Sequence, residues 1–242
     1  SKELVEDDLF KKIPDKNTQN TSCRNLTNKE KENICKEKNR FWTGVNCLKL
    51  LKKPLINIIE TNPYDVILEI KISDDFDMSN IRIEHLIENP CECMDNWWAN
   101  GKNRKGCVDA DNNNNPWCYV KGKLKCGISN KSINQDKSWR RCNINENTNS
   151  KNIGEIEILN KNNVDNKIRI KITKLFNKTN YNLKLKLLSK YPGYETPYSD
   201  NINFETSCDN EIYTREYCRN NNGPENTFSS KVKELRKEKD IK

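Results

Sequence analysis

The residues with the greatest chemical potential lie in 91–142, where six of the eleven cysteines and four of the five tryptophans fall within 52 residues. Cysteines at this density either pair as disulfides or bind a metal ion. Structural zinc sites use closely spaced pairs of cysteine or histidine ligands. Here the later spacings are long, and the one histidine, His85, lies outside the stretch. The pattern therefore favours a disulfide-held module without metal or cofactor, in which each bridge adds about 2–4 kcal/mol.

The cysteine spacing resembles that of fibronectin type II and kringle modules. The segments that carry the resemblance are Cys93-x13-Cys107, Pro116-Trp117-Cys118-Tyr119, and Asp136-Lys137-Ser138-Trp139 shortly before Cys142. In type II modules the first cysteine pairs with the third, and the second with the fourth. The resemblance implies the bridges Cys93–Cys118 and Cys107–Cys142, and it leaves Cys91–Cys126 as a third.

A possible ligand site follows from the same resemblance. Asp109-Ala110-Asp111 is similar to the ligand loop of kringles, where two aspartates bind a lysine ammonium and aromatic side chains hold its alkyl stem. The resemblance implies a shallow pocket with Asp109, Asp111 and Tyr119 exposed around it. Trp117 is a further candidate, although Trp117 and Trp139 are expected to form the small core of the module. By analogy with type II modules, exposed ligand-binding aromatics are expected at Trp97 or Trp98.

The positive charge of the chain suggests a second kind of contact. The net charge is +8, and residues 91–142 hold ten Lys or Arg against five Asp or Glu. A basic surface suits an acidic protein, a sulfated glycan or an anionic lipid, whereas no nucleic-acid motif is visible. The alternative is that codon bias places lysine at many polar positions, because the Asn- and Lys-rich composition resembles that of malaria-parasite proteins. The candidate cations are Lys121, Lys123, Lys125, Arg140 and Arg141.

The chain on both sides of the module alternates apolar and polar residues, which is typical of half-buried strands. Segments 54–90 and 150–207 together predict an all-β fold, an antiparallel sandwich of seven strands. The module at 91–142 would interrupt it between the third and fourth strands. His85 is expected at the boundary of the core. The predicted strands are 55–59, 65–72, 81–87, 153–159, 167–172, 181–188 and 202–206.

The second half of this sandwich resembles a fibronectin type III domain. The resemblance is carried by Leu175-x5-Tyr181, by Thr179 and by the run NYNLKLKLLSKYPGYETPYSDNINFET, while Ile70 stands where the family has a core tryptophan. It implies that the Tyr181 hydroxyl bonds to backbone upstream. It also implies that the module lies in the C–C′ loop, at the pole where the last strand ends.

The two ends of the chain are predicted to be extensions. Residues 1–53 contain Cys23, Cys35 and Cys47, and a helix that Thr27 caps with Glu30 and that runs to about Arg40. Residues 208–242 contain a predicted Cys208–Cys218 bridge and a short helix. With eleven cysteines one thiol is left over, so we expect either a disulfide to a partner chain through the N-terminal group or a buried free thiol. Sequons occur at Asn20, Asn25, Asn130 and Asn177.

The sequence favours recognition over catalysis. It contains no nucleophile motif and no phosphate-binding loop, and one histidine excludes most His-based triads, so we predict no catalytic residues. The cysteines indicate the secretory pathway or the extracellular space, and the missing apolar leader indicates either a processed chain or one expressed without its leader. We expect an adhesion or invasion protein of a parasite surface or secretory organelle, which binds a host protein, a protein of a parasite surface complex or an acidic glycan. The alternative is a structural subunit of a disulfide-linked surface complex.

Overall fold

The computed structural model describes residues 26–72, 76, 78, 80–122, 125–132, 137–144 and 153–210. These residues form one helix and fourteen short antiparallel strands, so the all-β prediction is confirmed. A helix with the length and apolarity to span a bilayer is absent from these residues. The tail helix predicted within 208–242 lies outside the described part.

The N-terminal extension is a helix tied to a hairpin. Helix α1 (Asn28–Glu37) begins with the predicted capping box, in which the Glu30 carboxylate accepts from the Thr27 backbone N–H at 2.8 Å. A disulfide joins Cys35 to Cys47, in the hairpin of β1 (Arg40–Trp42) and β2 (Cys47–Lys49). Because these two cysteines pair with each other, Cys23 is the one of the three N-terminal cysteines left over, and its link to a partner chain stays a prediction. Cys23 lies outside the described residues.

Two antiparallel sheets make up the sandwich. The four-stranded sheet contains β3 (Leu55–Thr61), β4 (Val66–Lys71), β11 (Glu155–Asn162) and β12 (Lys167–Thr173), and the other contains β5 (Arg82–Ile87), β13 (Asn180–Leu188) and β14 (Ile202–Glu205). The strand orders are β11-β12-β4-β3 and β14-β13-β5. Each sheet combines strands from before and after the module, so the segments that flank the module fold together.

The core lies between the sheets and follows the alternation of the central strands. Every second residue of β4, β12 and β13 is buried in it, and each fully buried Leu or Ile contributes about 1.5–3 kcal/mol. The opposite face is charged, and there Lys167 pairs with Glu69 of the neighbouring strand at 3.0 Å. The central buried residues are Val66, Leu68, Ile70, Ile168, Ile170, Ile172, Leu183, Leu185 and Leu187.

The fourth strand of the sandwich does not lie where the sequence predicted. β11 pairs with β12, with Ile156 opposite Ile172, and therefore belongs to the four-stranded sheet. The module thus lies in the crossover between the sheets, and its assignment to a C–C′ loop is wrong. The cause is the four-residue turn 163–166, because strands joined by so short a turn pair as a hairpin. This four-plus-three division corresponds to the ABED and CFG sheets of a constant-type immunoglobulin sandwich.

Both edges of the four-stranded sheet are irregular. The pairing register shifts after Ile58 in β3 and after Ile158 in β11, which marks a bulge in each edge strand. Ile156 packs against the core as expected. Ile158 and Leu159 remain 37% and 42% exposed, because an edge strand has a neighbour on one side only.

The two poles of the sandwich carry different additions. The Tyr181 hydroxyl accepts from the Phe176 N–H at 2.7 Å, as the fibronectin resemblance implied. Lys178 N–H donates to Ser207 at the same pole, so the chain after β14 emerges beside the module. At the other pole Phe41 stacks on Tyr194, with ring centroids 5.1 Å apart, and holds the N-terminal extension there.

Two smaller predictions concern His85 and the last bridge. His85 is half-buried and lies 3.2 Å from the Ile153 carbonyl oxygen, so it is the boundary residue that we expected. Cys208 is disulfide-bonded, but Cys218 lies outside the described residues. The Cys208–Cys218 pairing therefore stays a prediction.

Candidate binding surface

Three disulfides hold the module together. They are Cys91–Cys126, Cys93–Cys118 and Cys107–Cys142, the three bridges expected from the sequence. The sulfurs of Cys93, Cys118 and Cys142 lie within 4.8 Å of one another, but they belong to two disulfides and offer no thiolate for a metal ion. The module's strands are β6 (Trp97–Ala99), β7 (Lys102–Arg104), β8 (Trp117–Tyr119), β9 (Asn130–Lys131) and β10 (Ser138–Arg141).

Aromatic side chains form the interior of the module. The Trp97 and Trp117 ring centroids are 4.6 Å apart, and Trp139 packs edge-on against Trp117 at 6.0 Å. Tyr119 is only 7% exposed, so the prediction of an exposed Tyr119 is wrong, and Trp97 is equally buried. The physical reason is composition: a stretch with so few aliphatic residues needs its aromatic rings as a core.

The two candidate aspartates are engaged inside the module. Asp109 accepts from the backbone N–H groups of Asn113 and Asn114 at 3.2 and 2.9 Å. Asp111 accepts from the Trp117 indole N–H at 2.9 Å. The expected arrangement around Tyr119 is therefore not present. A cation of the module itself, Lys137, lies 5.1 Å from the Tyr119 ring centroid.

The predicted basic cluster divides into residues with different surroundings. Lys121 pairs with Glu92 at 2.8 Å and with Asp95 at 3.1 Å, and its hydrogen bond to Glu92 raises the pKa of the ammonium group. Arg140 is buried, so it is not part of a surface patch. Lys125 and Arg141 are exposed, while Lys123 lies outside the described residues.

Arg140 instead connects the module to the sandwich. Its Nε donates to the Cys91 carbonyl at 2.7 Å, and its guanidinium lies 5.4 Å from the Phe176 ring centroid. Phe176 belongs to the corner that Tyr181 closes, so the Arg140 side chain spans the junction. A cation buried at this depth requires such partners.

Backbone contact completes the junction. The Gly127 N–H donates to the Thr179 hydroxyl at 3.0 Å. A Cβ added at Gly127 would lie 1.8 Å from the Lys178 carbonyl oxygen, so only glycine fits. Asn177, in the same corner, is 1% exposed. The module is thus seated directly on the corner of the sandwich.

The β6–β7 hairpin presents the most exposed aromatic ring of the module. Trp98 is 59% exposed, because alternation turns it away from Trp97. The turn residues Asn100 and Gly101 both have positive φ, 51° and 72°, which fits a type I′ turn. The Asn100 amide donates to the Ala110 carbonyl at 3.1 Å and fixes the tip. The Asn-Gly pair in the sequence is a hairpin signal that the sequence analysis missed.

Exposed cations lie on the same hairpin as this tryptophan. Asn103 is paired with Trp98 and shares its face, whereas Lys102 is paired with Ala99 and lies on the other face at the hairpin tip. Lys102, Asn103 and Lys105 are exposed, and the sequence contains no Asp or Glu from 96 to 108. Within the part of the chain that the structure describes, Lys102 and Lys105 form no ion pair. The nearest acid along the chain, Asp95, pairs with Lys121. We call Trp98, Lys102, Asn103 and Lys105 the Trp98 surface.

The comparison with known protein sequences assigns no function to this chain. No protein-family model matches the chain, and no curated protein matches its sequence. The argument for function therefore rests on what the described side chains are able to contact.

Proposed function

We propose that this protein is an extracellular recognition protein, in which a fibronectin type III-like sandwich carries a kringle- or type II-like module that binds a partner. The observation that carries the proposal is Trp98, a large apolar ring 59% exposed on a hairpin with a fixed tip. Exposed tryptophans on rigid supports are typical centres of binding energy. A rigid support also lowers the ordering cost of binding.

The disulfides and the composition support the cellular setting that we propose. Bridges such as Cys35–Cys47 and Cys107–Cys142 persist in oxidising environments, so we place the protein in the secretory pathway or outside the cell. The Asn- and Lys-rich composition supports a parasite surface or secretory organelle. The partner would be a host-cell molecule met during invasion or cell-cell contact.

The test compares binding of the folded, disulfide-bonded chain to candidate target cells with that of Trp98→Ala. We expect the substitution to reduce binding at least about tenfold, as for a central tryptophan. Val164→Ala is the matched control, because Val164 is an apolar side chain 90% exposed on a sandwich turn. Equal binding by both variants would contradict the proposal. Recovery of both in the same disulfide-linked complex from native membranes would favour the structural-subunit alternative.

A further inference from the structure

We infer that the Trp98 surface binds a sulfated polysaccharide. This inference rests on the proposed function and names the class of ligand. The first argument is charge. Lys102 and Lys105 are exposed cations without an ion pair among the described residues, whereas Lys121 of the same module is paired with two carboxylates. A cationic surface free of internal counter-ions attracts a polyanion.

The second argument is that nearby carboxylates already have donors. Asp109 accepts from two loop N–H groups, and Asp111 accepts from the Trp117 indole and the Asn100 amide, the latter at 2.9 Å. Neither carboxylate forms an ion pair with Lys102 or Lys105 among the described residues. Both ammonium groups therefore keep their charge for an external ligand.

The third argument is the surface that continues from the hairpin. Asn100 at the tip contacts Asp111, where an exposed asparagine loop, 111–115, begins. The loop ends at Asn115, whose carbonyl accepts from Arg141 at 2.8 Å. The loop thus runs from the hairpin tip, where Lys102 follows Gly101 in the sequence, to Arg141, and amide side chains lie between them. Such a path offers alternating charges and hydrogen-bonding groups to an extended chain.

The fourth argument distinguishes a glycan from an acidic protein. Protein hot spots combine several apolar anchors with pockets that receive them. The Trp98 surface instead has one aromatic ring, with the Asn103 amide on the same face and two exposed lysines on the same hairpin. An exposed indole face stacks on the apolar face of a sugar ring, and lysine ammonium groups act as point charges for sulfate. This mixture fits a sugar polymer that is both polar and anionic.

The experiment uses the full chain with its disulfides intact and measures its affinity for size-defined heparin oligosaccharides at an ionic strength of about 0.15 M. Unsulfated oligosaccharides of the same length and anionic phospholipid vesicles are parallel probes. The variants are Trp98→Ala and the double change Lys102→Glu/Lys105→Glu. The matched control is Lys125→Glu/Lys131→Glu, which reverses two exposed charges elsewhere on the module.

We expect binding to the sulfated oligosaccharides alone. The Lys102/Lys105 double variant should bind about tenfold or more weakly, and Trp98→Ala about fivefold or more weakly. The Lys125/Lys131 control should stay within about twofold of the wild type. Near-ultraviolet circular dichroism shows whether each variant keeps its fold.

Several outcomes would overturn the inference. An equal loss in the Lys125/Lys131 control would mean that diffuse charge attracts the polymer. Binding to vesicles without binding to heparin would assign the surface to lipid. If no sulfated oligosaccharide binds but cell binding still depends on Trp98, the glycan inference fails and the proposed function stands. If cell binding is also independent of Trp98, both fail.

Discussion

Adjacent residues of one type have different roles in this protein. Arg140 is buried at the junction with the sandwich, and Arg141 is exposed over the Trp139 ring at 5.5 Å. The two were predicted together as surface cations on the basis of charge. Alternation along β10 separates them, because successive side chains of a strand point to opposite faces.

Arg140→Ala should destabilise the protein by about 1–3 kcal/mol, because it leaves the buried Cys91 carbonyl without its donor. It also removes the contact with the Phe176 ring. Denaturant unfolding measures the change. Arg141→Ala is the neighbouring control and should stay within about 0.5 kcal/mol of the wild type, as is usual for exposed sites. Equal effects of the two substitutions would show that Arg140 does not hold the junction.

Tyr181→Phe should cost about 1–2 kcal/mol, because the Phe176 N–H loses its acceptor. The control is Tyr191→Phe, since the Tyr191 hydroxyl has no hydrogen bond among the described residues. Thermal unfolding of both variants tests the difference. A Tyr181→Phe protein as stable as the control would contradict the role of this hydroxyl.

The same tyrosine gives a pH dependence. Burial raises the pKa of Tyr181 above its ordinary value of 10.0. As the pH rises through that value the unfolded chain loses the phenolic proton first, so the free energy of unfolding falls. The contribution of the protonated Tyr181 to the free energy of unfolding is complete below pH 10 and falls as the pH rises above it. Tyr181→Phe should therefore show a shallower alkaline loss of stability than Tyr191→Phe, and parallel curves would count against this assignment.

At the scale of elements, the sequence predicted the strands better than their partners. β4, β12 and β13 are central strands whose alternating residues are all needed in the core, so the periodicity is regular. β11 is an edge strand, and alternation does not encode whether it pairs with β5 or β12. The short turn before β12 decides the pairing. This is why the strands were predicted well and the insertion point was not.

The candidate binding surface of the module was also only partly predictable from the sequence. Its bridges followed from cysteine spacing, since spacing is what the family resemblance compares. The burial of Tyr119 could not be predicted from this spacing, because burial depends on which side chains are available to fill the interior. In a module with few aliphatic residues the aromatic rings fill most of the interior, and among these rings only Trp98, on the outer side of its hairpin, remains exposed.

Gly127→Ala should weaken the seating of the module on the sandwich. The added methyl group would lie 1.8 Å from the Lys178 carbonyl oxygen, so the two backbones must separate. We expect a loss of about 1–3 kcal/mol and faster amide exchange at Gly127. Gly101→Ala is the control, because no atom lies within 4 Å of its added methyl group. Its positive φ alone should cost about 1–2 kcal/mol, so amide exchange at position 127 is the measurement that separates the two variants. Unchanged exchange at Gly127 would contradict this account.

At the scale of the whole molecule, the corner at residues 175–181 links three parts. It closes the sandwich through Tyr181, receives the module through Thr179, and contacts the chain that follows β14 through Lys178. The N-terminal extension packs at the opposite pole. A ligand on the module is therefore held at one end of the molecule, on the side where the chain continues beyond β14.

The fold also limits glycosylation. Asn177 is 1% exposed at the junction, and Asn130 is 9% exposed. A glycan on either side chain would need space that the folded protein already fills, so we expect neither sequon to carry one in the folded protein. Glycopeptide mass spectrometry after expression in a glycosylating host measures occupancy. High occupancy of Asn177 in protein with native stability would be incompatible with the junction.

The two bulged edges of the four-stranded sheet affect how copies of the protein associate at high concentration. An unbroken edge strand is a template on which a second copy adds its own strand and starts a fibril. Here the pairing shifts after Ile58 on one edge and after Ile158 on the other, so neither edge offers an even row of donors and acceptors. The four-stranded sheet of one copy is therefore a poor template for a strand of a neighbouring copy, which favours separate molecules, each with its own tryptophan hairpin, when many copies are close together.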